Sequence, residues 1–537
     1  MQIIIPMSGM GDRFKKAGYT DPKPLIKVDG KPIIEHVVNM FPCENDFVFI
    51  CNQQHLAETP MRAELERIKP DAKIVQVAPH KLGPVYAVLQ AADFIKDDEP
   101  CVVNYCDFSV YWDYADFKAT MQRLGCEGCV TAYKGFHPHT LGTTFYAYMR
   151  WDKDNYLTEI REKEAYTDNR MQEYASSGTY YFKSGKILKK YFQETIDQQL
   201  SKGGEYYVSL VYNLLKRDSL RTYIYELEHF LQWGTPEELE EYLAWSNYFH
   251  HVVAWKKTKA AELPQDHINL IPMAGRGQRF ADEGYVLPKP LIPVDGEPMV
   301  VQAVRSLPKA EQHVFVCLEE HLKDAGLKKV LTQTFPNSQA VTLKAVTEGQ
   351  ACTCLEGLKG FVDAIHELHL QSEGEEPVLQ KPLVIGACDN GMLWNIEAYQ
   401  QLLRDKNPDA VIWTFKKHPS ALRNPKSYGW VKADATGKVE LVKCKETVSQ
   451  QPQNDHAVVG TFSFKSAQLF IDAAKAMIQK NIRVNNEFYV DLVPNELLAM
   501  GMSVYVFQID YYVGWGTPND YKTYNYWQSY FQKVGIL

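Results

Sequence analysis

The chain has 537 residues, of which 45% are hydrophobic and 23% charged, values typical of a globular protein. This length exceeds one ordinary core, so we expect two domains of about 250 residues. The net charge is −8 and no basic block is present, which argues against nucleic acid as a partner. No apolar run approaches the ~18 residues of a membrane span. The eleven cysteines are scattered and the start of the chain lacks a basic leader, so we expect a cytoplasmic protein with reduced thiols.

The opening stretch of the chain occurs twice in the sequence. Residues 2–34 recur at residues 268–300, which is 266 positions further on. A repeat of that period predicts a duplicated domain rather than a solenoid unit. We therefore expect a first domain at 1–250, a linker at 251–266 and a second domain at 267–537.

Each copy begins with a short apolar strand that runs into a loop with two glycines, an arginine and then Pro-Lys-Pro-Leu. Glycines permit positive φ and let backbone N–H groups approach an anion, and a guanidinium pairs well with phosphate. The Walker-type P-loop pattern and the third glycine of a dinucleotide-binding loop are both absent from this stretch. The pattern predicts a triphosphate-binding loop formed by Gly9, Gly11, Arg13 and Lys23 in the first copy, and by Gly275, Gly277, Arg279 and Lys289 in the second.

After the loop, helical and strand patterns alternate, which predicts an α/β domain. Asp107 and Asp389 each end a buried strand, and ligands of such sheets bind at the carboxyl ends of the strands. A carboxylate there, beside a phosphate loop, predicts a ligand for Mg²⁺ or Mn²⁺. The alternative for each aspartate is an N-cap of the helix that follows.

The Gly-x-Gly-x-Arg loop followed by Pro-Lys-Pro-Leu resembles the signature of the sugar-phosphate nucleotidyltransferases, which include NDP-sugar pyrophosphorylases and cytidylyltransferases. The resemblance covers both halves of the chain. It implies two tandem GT-A-like (Rossmann-related) nucleotidyltransferase domains of the α/β class, each a mixed, mostly parallel sheet flanked by helices. The implied reaction transfers an NMP group from an NTP to a sugar phosphate or phospho-alcohol and releases pyrophosphate, for cell-surface or capsular polysaccharide precursors. The loop arginines and lysines would be its catalytic residues.

The resemblance also places the substrates. Gly83 and Gly349 would face the nucleotide base, and Gln350 would read it, whereas the first copy has Pro84 at that position. The acceptor would lie against residues that recur 282 positions apart, namely Lys163, Gly178 and Glu205 in the first copy and Lys445, Gly460 and Glu487 in the second. Glu162 is replaced by Cys444, which predicts different acceptors in the two copies.

The match has one defect. Members of the family that act on sugars carry a second metal aspartate two residues before the glycine of a closing Trp-Gly-Thr-Pro, and this chain has Gln232 and Gly514 there. Glu228 and Asp510 lie four residues upstream of these positions, on the same face of a strand, and are the predicted substitutes.

Three alternatives stay open at this point. One copy could catalyse while the other regulates or forms dimers, and a homo-oligomer is compatible with either case. A GT-A glycosyltransferase would need an Asp-x-Asp, which Asp107-Phe-Ser and Asp389-Asn-Gly lack. The compact signature slightly favours CTP as the nucleotide, with a phosphorylated small molecule as acceptor.

Overall fold

The structure is a computed structural model that describes residues 1–143, 145–323, 325–368 and 376–537. The chain divides into two compact units. The first unit comprises Met1–Ser246 and Ser529–Val534, and the second comprises Asn247–Gln528 and Gly535–Leu537. The long helix at the end of each sequence repeat therefore contributes residues to both units.

The elements up to the end of the first repeat alternate between strands and helices. The strands are β1 (Gln2–Met7), β2 (Lys27–Val28), β3 (Lys31–Pro32), β4 (Phe47–Asn52), β5 (Lys73–Val77), β6 (Cys101–Asn104), β7 (Phe108–Tyr111), β8 (Gly128–Tyr133), β9 (Ala147–Trp151), β10 (Leu157–Glu162), β11 (Tyr174–Phe182), β12 (Thr222–Glu226) and β13 (His229–Gln232). The α-helices are α1 (Asp12–Lys16), α2 (Ile33–Asn39), α3 (Gln53–Glu58), α4 (Met61–Ile68), α5 (Pro84–Leu89), α6 (Tyr114–Leu124), α7 (Gly185–Asp197), α8 (Val208–Arg217) and α9 (Pro236–Ala260).

The second repeat follows the same order of elements. Its strands are β14 (Gln265–Pro272), β15 (Pro293–Val294), β16 (Glu297–Pro298), β17 (Ala310–Leu318), β18 (Ser338–Leu343), β19 (Leu383–Ile385), β20 (Asn390–Leu393), β21 (Ala410–Phe415), β22 (Gly429–Ala433), β23 (Val439–Cys444), β24 (His456–Phe464), β25 (Val504–Gln508) and β26 (Tyr511–Gly514). Its α-helices are α10 (Gln278–Asp282), α11 (Met299–Ser306), α12 (Glu319–Lys323), α13 (Ala325–Thr334), α14 (Gln350–Leu368), α15 (Glu376–Leu379), α16 (Ile396–Lys406), α17 (Pro419–Arg423), α18 (Ala467–Gln479), α19 (Val493–Ala499) and α20 (Pro518–Lys533).

The main sheet of the first unit has the strand order β10-β9-β11-β6-β1-β4-β5, with β8 and β12 branching from β11. The strands β6, β1, β4 and β5 run parallel, and β11 is antiparallel to β6. Every residue of β1 and β4 is buried, as expected for parallel strands covered on both faces. Because β1 and β6 are neighbours, the loop after β1 and the residues after β6 lie at the same edge of the sheet.

The main sheet of the second unit repeats this plan with the order β18-β17-β14-β19-β24-β21-β25. One face packs on α14, α18 and α19, and the other packs on α11 and α13. The predicted α/β class, with a mixed sheet flanked by helices in each of two tandem domains, is confirmed.

The segment predicted as a linker, 251–266, instead contains the end of α9 and the start of β14. Val252 is 5% exposed, and the indole of Trp255 donates a hydrogen bond of 2.9 Å to the carbonyl of Trp394. Val252 and Trp255 thus pack against other residues, whereas most residues of 251–266 are exposed, and the domain boundaries stay a prediction. Among the described helices, none has both the length and the apolar character that crossing a membrane requires.

Candidate active site

The glycine loop follows β1 in the first unit and β14 in the second. Gly11 and Gly277 have φ of 67° and 63°, in the left-handed region, and each precedes a short helix. Glycine adopts this conformation without the steric penalty of a side chain. A Cβ on Gly9 or Gly275 would meet nothing within 4 Å, so the loop backbone is open to the approach of a ligand.

The two loop arginines lie in the short helices α1 and α10. Arg13 and Arg279 are both exposed. The guanidinium carbon of Arg13 lies 5.5 Å from the centre of the Phe145 ring. The forked guanidinium donors of both arginines are therefore accessible to the oxygens of a bound phosphate.

The lysine of each Pro-Lys-Pro-Leu lies beside the aspartate that follows the central strand. Lys23 Nζ donates to Asp107 Oδ2 over 2.8 Å, and Lys289 Nζ donates to Asp389 Oδ2 over 2.5 Å. Burial opposes the charge on each lysine, but the facing carboxylate outweighs it and raises the pKa of Lys23 and of Lys289 above the ordinary value. Each site thus pairs one fixed cation with one carboxylate.

A second carboxylate lies beside Asp107, and the sequence analysis missed it. Glu238 is in the first turn of α9, where the Tyr146 hydroxyl and the Gln232 amide each donate to its Oε1 over 3.1 Å. A Cβ on Gly234 would lie 3.2 Å from Glu238 Oε2 and 3.4 Å from Asp107 Oδ2. Both carboxylates therefore face the same side of Gly234.

Asp520 is the counterpart of Glu238 in the second unit, 282 positions further on. The hydroxyl of Thr517 donates to Asp520 Oδ2 over 2.7 Å. Burial and the nearby Asp389 charge raise the pKa of Asp520, and burial and Asp107 do the same to the pKa of Glu238. In both units, two acidic groups are held close enough to repel each other.

The structure does not place Glu228 or Asp510 beside the strand-end aspartates, which corrects the prediction for these two residues. β13 pairs with β7 so that Gln232 lies opposite Phe108, next to the site. Glu228 precedes the opposite end of β13, roughly 13 Å away along the strand, and forms an ion pair with Lys533. Asp510 precedes β26 in the same way and is exposed.

The acidic pairs fit a divalent cation that is shared with a substrate. Within the described residues, no group of three or more His, Cys, Asp or Glu side chains is arranged to hold a metal ion. Mg²⁺ commonly binds through only one or two carboxylates together with substrate phosphates. Asp107 with Glu238, and Asp389 with Asp520, could supply that number of ligands next to the glycine loop.

The loop before α5 or α14 packs against a second loop of the same unit. Gly83 has φ of 86°, and a Cβ there would lie 2.7 Å from the backbone nitrogen of Tyr206. Gly349 has φ of 132°, and its Cβ would lie 2.4 Å from the backbone nitrogen of Phe488. Close approach of two backbones therefore explains both glycines, which the sequence analysis placed at the base.

The two units differ at the residue that follows this glycine. Pro84 begins α5 and has no polar side chain, whereas Gln350 begins α14 and carries an amide. In the first unit, His80 Nε2 is hydrogen-bonded to the hydroxyl of Ser8 over 3.1 Å. The second unit has Ala274 in place of Ser8. The polar groups near the glycine loop are therefore different in the two copies.

The residues predicted to hold the acceptor converge in the first unit. Lys163 has φ of 57°, and its Nζ donates to the Tyr207 hydroxyl over 2.5 Å. That hydroxyl in turn donates to Glu205. Gly178 has φ of 107°, and a Cβ there would lie 2.9 Å from the ring of Phe108.

The second unit keeps this arrangement with smaller neighbours. Lys445 has φ of 58°, and its Nζ lies 4.8 Å from the centre of the Tyr489 ring. The Tyr489 hydroxyl is hydrogen-bonded to Glu487. Gly460 has φ of 93°, and a Cβ there would lie 3.4 Å from the Asn390 amide rather than against an aromatic ring.

Two cavities of the first unit meet at the Lys23–Asp107 pair. The loop cavity, of about 470 Å³, is lined by the glycine loop and by His80, Gly83 and Pro84. The strand cavity, of about 430 Å³, is lined by Arg13, Glu162, Lys163, Gly178 and Glu238. The residues that line both cavities are Gly11, Asp12, Lys23, Tyr105, Asp107, Glu205 and Tyr207.

A family model named Nucleotidyl transferase matches residues 2–228 and again residues 268–528. These two matches cover most of the chain. The chain therefore belongs to the nucleotidyl transferase family, and the resemblance seen in the glycine loops is confirmed.

Curated relatives match parts of the chain. Glucose-1-phosphate cytidylyltransferase of Salmonella typhimurium is 24% identical over 130 residues, which is 20% of this chain and 50% of the relative. Bifunctional protein GlmU of Methanococcus maripaludis is 29% identical over 164 residues, which is 30% of this chain and 36% of the relative. The chain thus spans about half the length, or less, of these curated relatives.

Solved structures also match one part of the chain at a time. A nucleoside-diphosphate-sugar pyrophosphorylase from Vibrio cholerae has 18% identity and a TM-score of 0.39, and the match covers 48% of this chain and 98% of that one. The inositol-1-phosphate CTP transferase from T. maritima has 17% identity and a TM-score of 0.35, and the match covers 50% of this chain and 97% of that one.

Proposed function

We propose that each unit transfers an NMP group from an NTP to a phosphorylated acceptor and releases pyrophosphate. The observation that carries the proposal is the meeting of two cavities at Lys23 and Asp107. The loop cavity suits the triphosphate and base, and the strand cavity suits the acceptor. The α-phosphate of the NTP then lies where the two cavities join, within reach of the phosphate of the acceptor.

The proposed step is an in-line displacement at the α-phosphorus. An oxygen of the acceptor phosphate forms the new bond while the bond to the β-phosphate oxygen breaks, and pyrophosphate leaves with that electron pair. A phosphate dianion needs no general base, so the protein acts by positioning and charge neutralisation. Lys163 holds the acceptor phosphate, and Arg13 and Lys23 face the charge that develops on the α-phosphate.

A divalent cation, when bound, would add positive charge to the substrate phosphates. Asp107 and Glu238 would hold it in the first unit, and Asp389 and Asp520 in the second. The Lys23 ammonium, which pairs with Asp107 in the structure, would then be available to donate to a phosphate oxygen. Mg²⁺ and Mn²⁺ both suit this oxygen-only ligand set.

Both units are proposed to act, because each retains the complete set of phosphate-binding cations. An unused exposed cation contributes little to stability and is readily lost, so the presence of Arg13 and Arg279, both exposed, favours two working sites. CTP is the first nucleotide to test, since the sequence signature leans that way and one relative is named a glucose-1-phosphate cytidylyltransferase. Sugar phosphates and phospho-alcohols are the proposed acceptors, for polysaccharide precursors.

Pyrophosphate release tests the proposal directly. The full-length protein is incubated with each of four NTPs, Mg²⁺ and a panel of sugar and alcohol phosphates. We expect release with at least one pair of substrates, and loss of release when Asp107→Ala and Asp389→Ala are combined. Full turnover by this double variant in EDTA would refute the metal assignment, and failure of every pair would refute the proposed reaction.

A further inference from the structure

The strand cavity of the first unit contains one buried carboxyl group beside the acceptor lysine. Glu162 is 7% exposed and immediately precedes Lys163. The hydroxyl of Ser209, which is fully buried, donates to Glu162 Oε2 over 2.6 Å. A carboxylate in this place can accept hydrogen bonds from hydroxyl groups of an acceptor.

The second unit also pairs a carboxyl group with a hydrogen-bond donor, but the carboxyl group is on the other of the two positions and the donor is a thiol. Cys444 stands where Glu162 would be, and Asp491 stands where Ser209 would be, each 282 residues further on. The Cys444 thiol is hydrogen-bonded to the Asp491 carboxylate. The carboxyl group has thus moved from the strand that precedes the acceptor lysine to the segment that follows Tyr489. The Glu162-to-Cys444 difference alone would suggest that the second copy has lost this carboxylate. Asp491 shows that a carboxylate is still present there.

A third position makes room for this exchange. Gly429 of the second unit corresponds to Ala147 of the first, which lines the strand cavity. A Cβ on residue 429 would lie 2.3 Å from Asp491 Oδ2, a distance that atoms not bonded to each other do not adopt. Alanine fits in the first unit because Ser209 is shorter than aspartate. The three differences therefore form one coordinated set.

The Asp491 carboxyl group lies near the cation that would hold the acceptor. The charge of Lys445 acts on both Asp491 and Cys444. Asp491 keeps part of its surface exposed, while its neighbours Val490 and Leu492 are buried.

We propose that Asp491 is the carboxylate of the second unit that binds a hydroxyl group of the acceptor, in the role that Glu162 has in the first. This inference rests on the proposed function, since it assumes that a phosphorylated acceptor binds beside Lys445. Because the carboxylate approaches from another segment, it meets a hydroxyl at a different place on the acceptor. The two units then select polyhydroxylated phosphates with different hydroxyl arrangements.

Binding measurements on the full-length protein test the inference. Lys163→Ala is introduced to weaken acceptor binding at the first site, and glucose 1-phosphate, glycerol 3-phosphate and phosphoethanolamine are titrated with a non-hydrolysable CTP analogue and Mg²⁺ present. We expect a hydroxylated phosphate to bind, and Asp491→Asn to weaken that binding about tenfold to a hundredfold while CTP affinity stays the same. Asp472→Asn, an exposed aspartate on α18, is the matched control and should change neither.

A combined variant guards against simple misfolding. Gly429→Ala, Cys444→Glu and Asp491→Ser together rebuild the arrangement of the first unit, and this variant should melt like the parent and bind hydroxylated phosphates again. Unchanged affinity in a folded Asp491→Asn protein would overturn the inference, as would selective binding of phosphoethanolamine or of no probe at all. Binding that depends on Asp491 without any pyrophosphate release would instead overturn the proposed reaction and leave the acceptor carboxylate standing.

Discussion

Gln232 Nε2 donates a hydrogen bond of 3.1 Å to Glu238 Oε1, so the last residue of β13 orients a carboxylate in the first turn of α9. The family resemblance described above predicts an aspartate where Gln232 stands. Here the acidic group comes from the next helix, and an amide holds it toward Asp107. The second metal ligand of the proposed site is therefore displaced along the chain but not missing from the site.

Glu238→Gln should weaken metal binding at the first site. The change keeps the size of the side chain and removes a charge, so we expect the affinity for Mn²⁺ to fall about tenfold or more. Electron paramagnetic resonance of Mn²⁺ with a non-hydrolysable CTP analogue measures this in an Asp389→Ala background, where the second site is disabled. Glu237→Gln alters an exposed neighbour and is the control. Equal Mn²⁺ affinity in both variants would contradict the assignment of Glu238.

Gln350→Ala should weaken nucleotide binding at the second site alone. Loss of an amide partner leaves a buried polar group on the base unpaired, which costs on the order of 1–3 kcal/mol, or roughly tenfold or more in Kd. Titration of CTP into the Lys23→Ala protein reports on the second site. The same substitution in the Lys289→Ala protein reports on the first site and should have no effect. An equal change in both backgrounds, or none in either, would count against base reading by Gln350.

Gly349→Ala should destabilise the second unit. The new Cβ would lie 2.4 Å from the backbone nitrogen of Phe488, and the φ of 132° disfavours any L side chain. We expect a loss of about 1–3 kcal/mol and a melting temperature several degrees lower. Gly9→Ala is the matched control because a Cβ there meets nothing within 4 Å. Similar melting of the two variants would show that the close approach is relieved at little cost.

The buried carboxyl group of Glu162 should make stability depend on pH. Burial, opposed by the hydrogen bond from Ser209, raises the pKa of Glu162 from 4.5 to about 7. The native protein therefore favours the protonated form, and this contribution is complete below pH 4.5 and lost as the pH rises through 7.

We expect the stability of the parent protein, relative to Glu162→Gln, to fall by on the order of 2–3 kcal/mol between pH 4.5 and pH 7.5. Urea unfolding at a series of pH values measures the difference, and the exposed Glu164→Gln is the control. A difference that stays constant across this range would be inconsistent with a protonated Glu162 in the folded protein.

Phe531→Ala should destabilise the first unit, although residue 531 is distant in sequence from most of it. Phe531 is fully buried, and its ring centre lies 6.1 Å from that of Tyr242. Removal of a buried phenylalanine ring costs about 3–5 kcal/mol. Hydrogen exchange read by mass spectrometry should show faster exchange in the first unit, and the exposed Gln532→Ala should not. Faster exchange confined to the second unit would contradict this placement.

The sequence predicted the α/β class, the duplication and the glycine loops because these depend on local patterns. Apolar runs, glycine spacing and the 266-residue repeat are all visible without contacts. The pairing of Lys23 with Asp107 follows from the topology, since residues after neighbouring parallel strands meet at one edge of the sheet.

Glu238 and Asp520 were missed because their position depends on how a helix begins. A signal was present, since Thr235 to Glu238 and Thr517 to Asp520 both have the spacing of a capping box, with an acidic group three residues after the threonine. In the structure, the backbone nitrogen of Glu238 donates to the Thr235 hydroxyl over 3.3 Å. A capping pattern is usually structural, and only the fold shows that this one lies beside Asp107. Asp491 was missed for a related reason, because its partner Cys444 is 47 positions away in sequence.

The assignment of Ser529–Val534 to the first unit has a consequence for how the protein is made. The rest of that unit ends at Ser246, almost 300 residues earlier. At a synthesis rate of about 5–20 residues per second, its last segment emerges roughly 15 to 60 seconds after the others. Until then, the surface around Tyr242 lacks the buried ring of Phe531. The first unit therefore stays incomplete, with apolar surface exposed, while the whole second unit is translated.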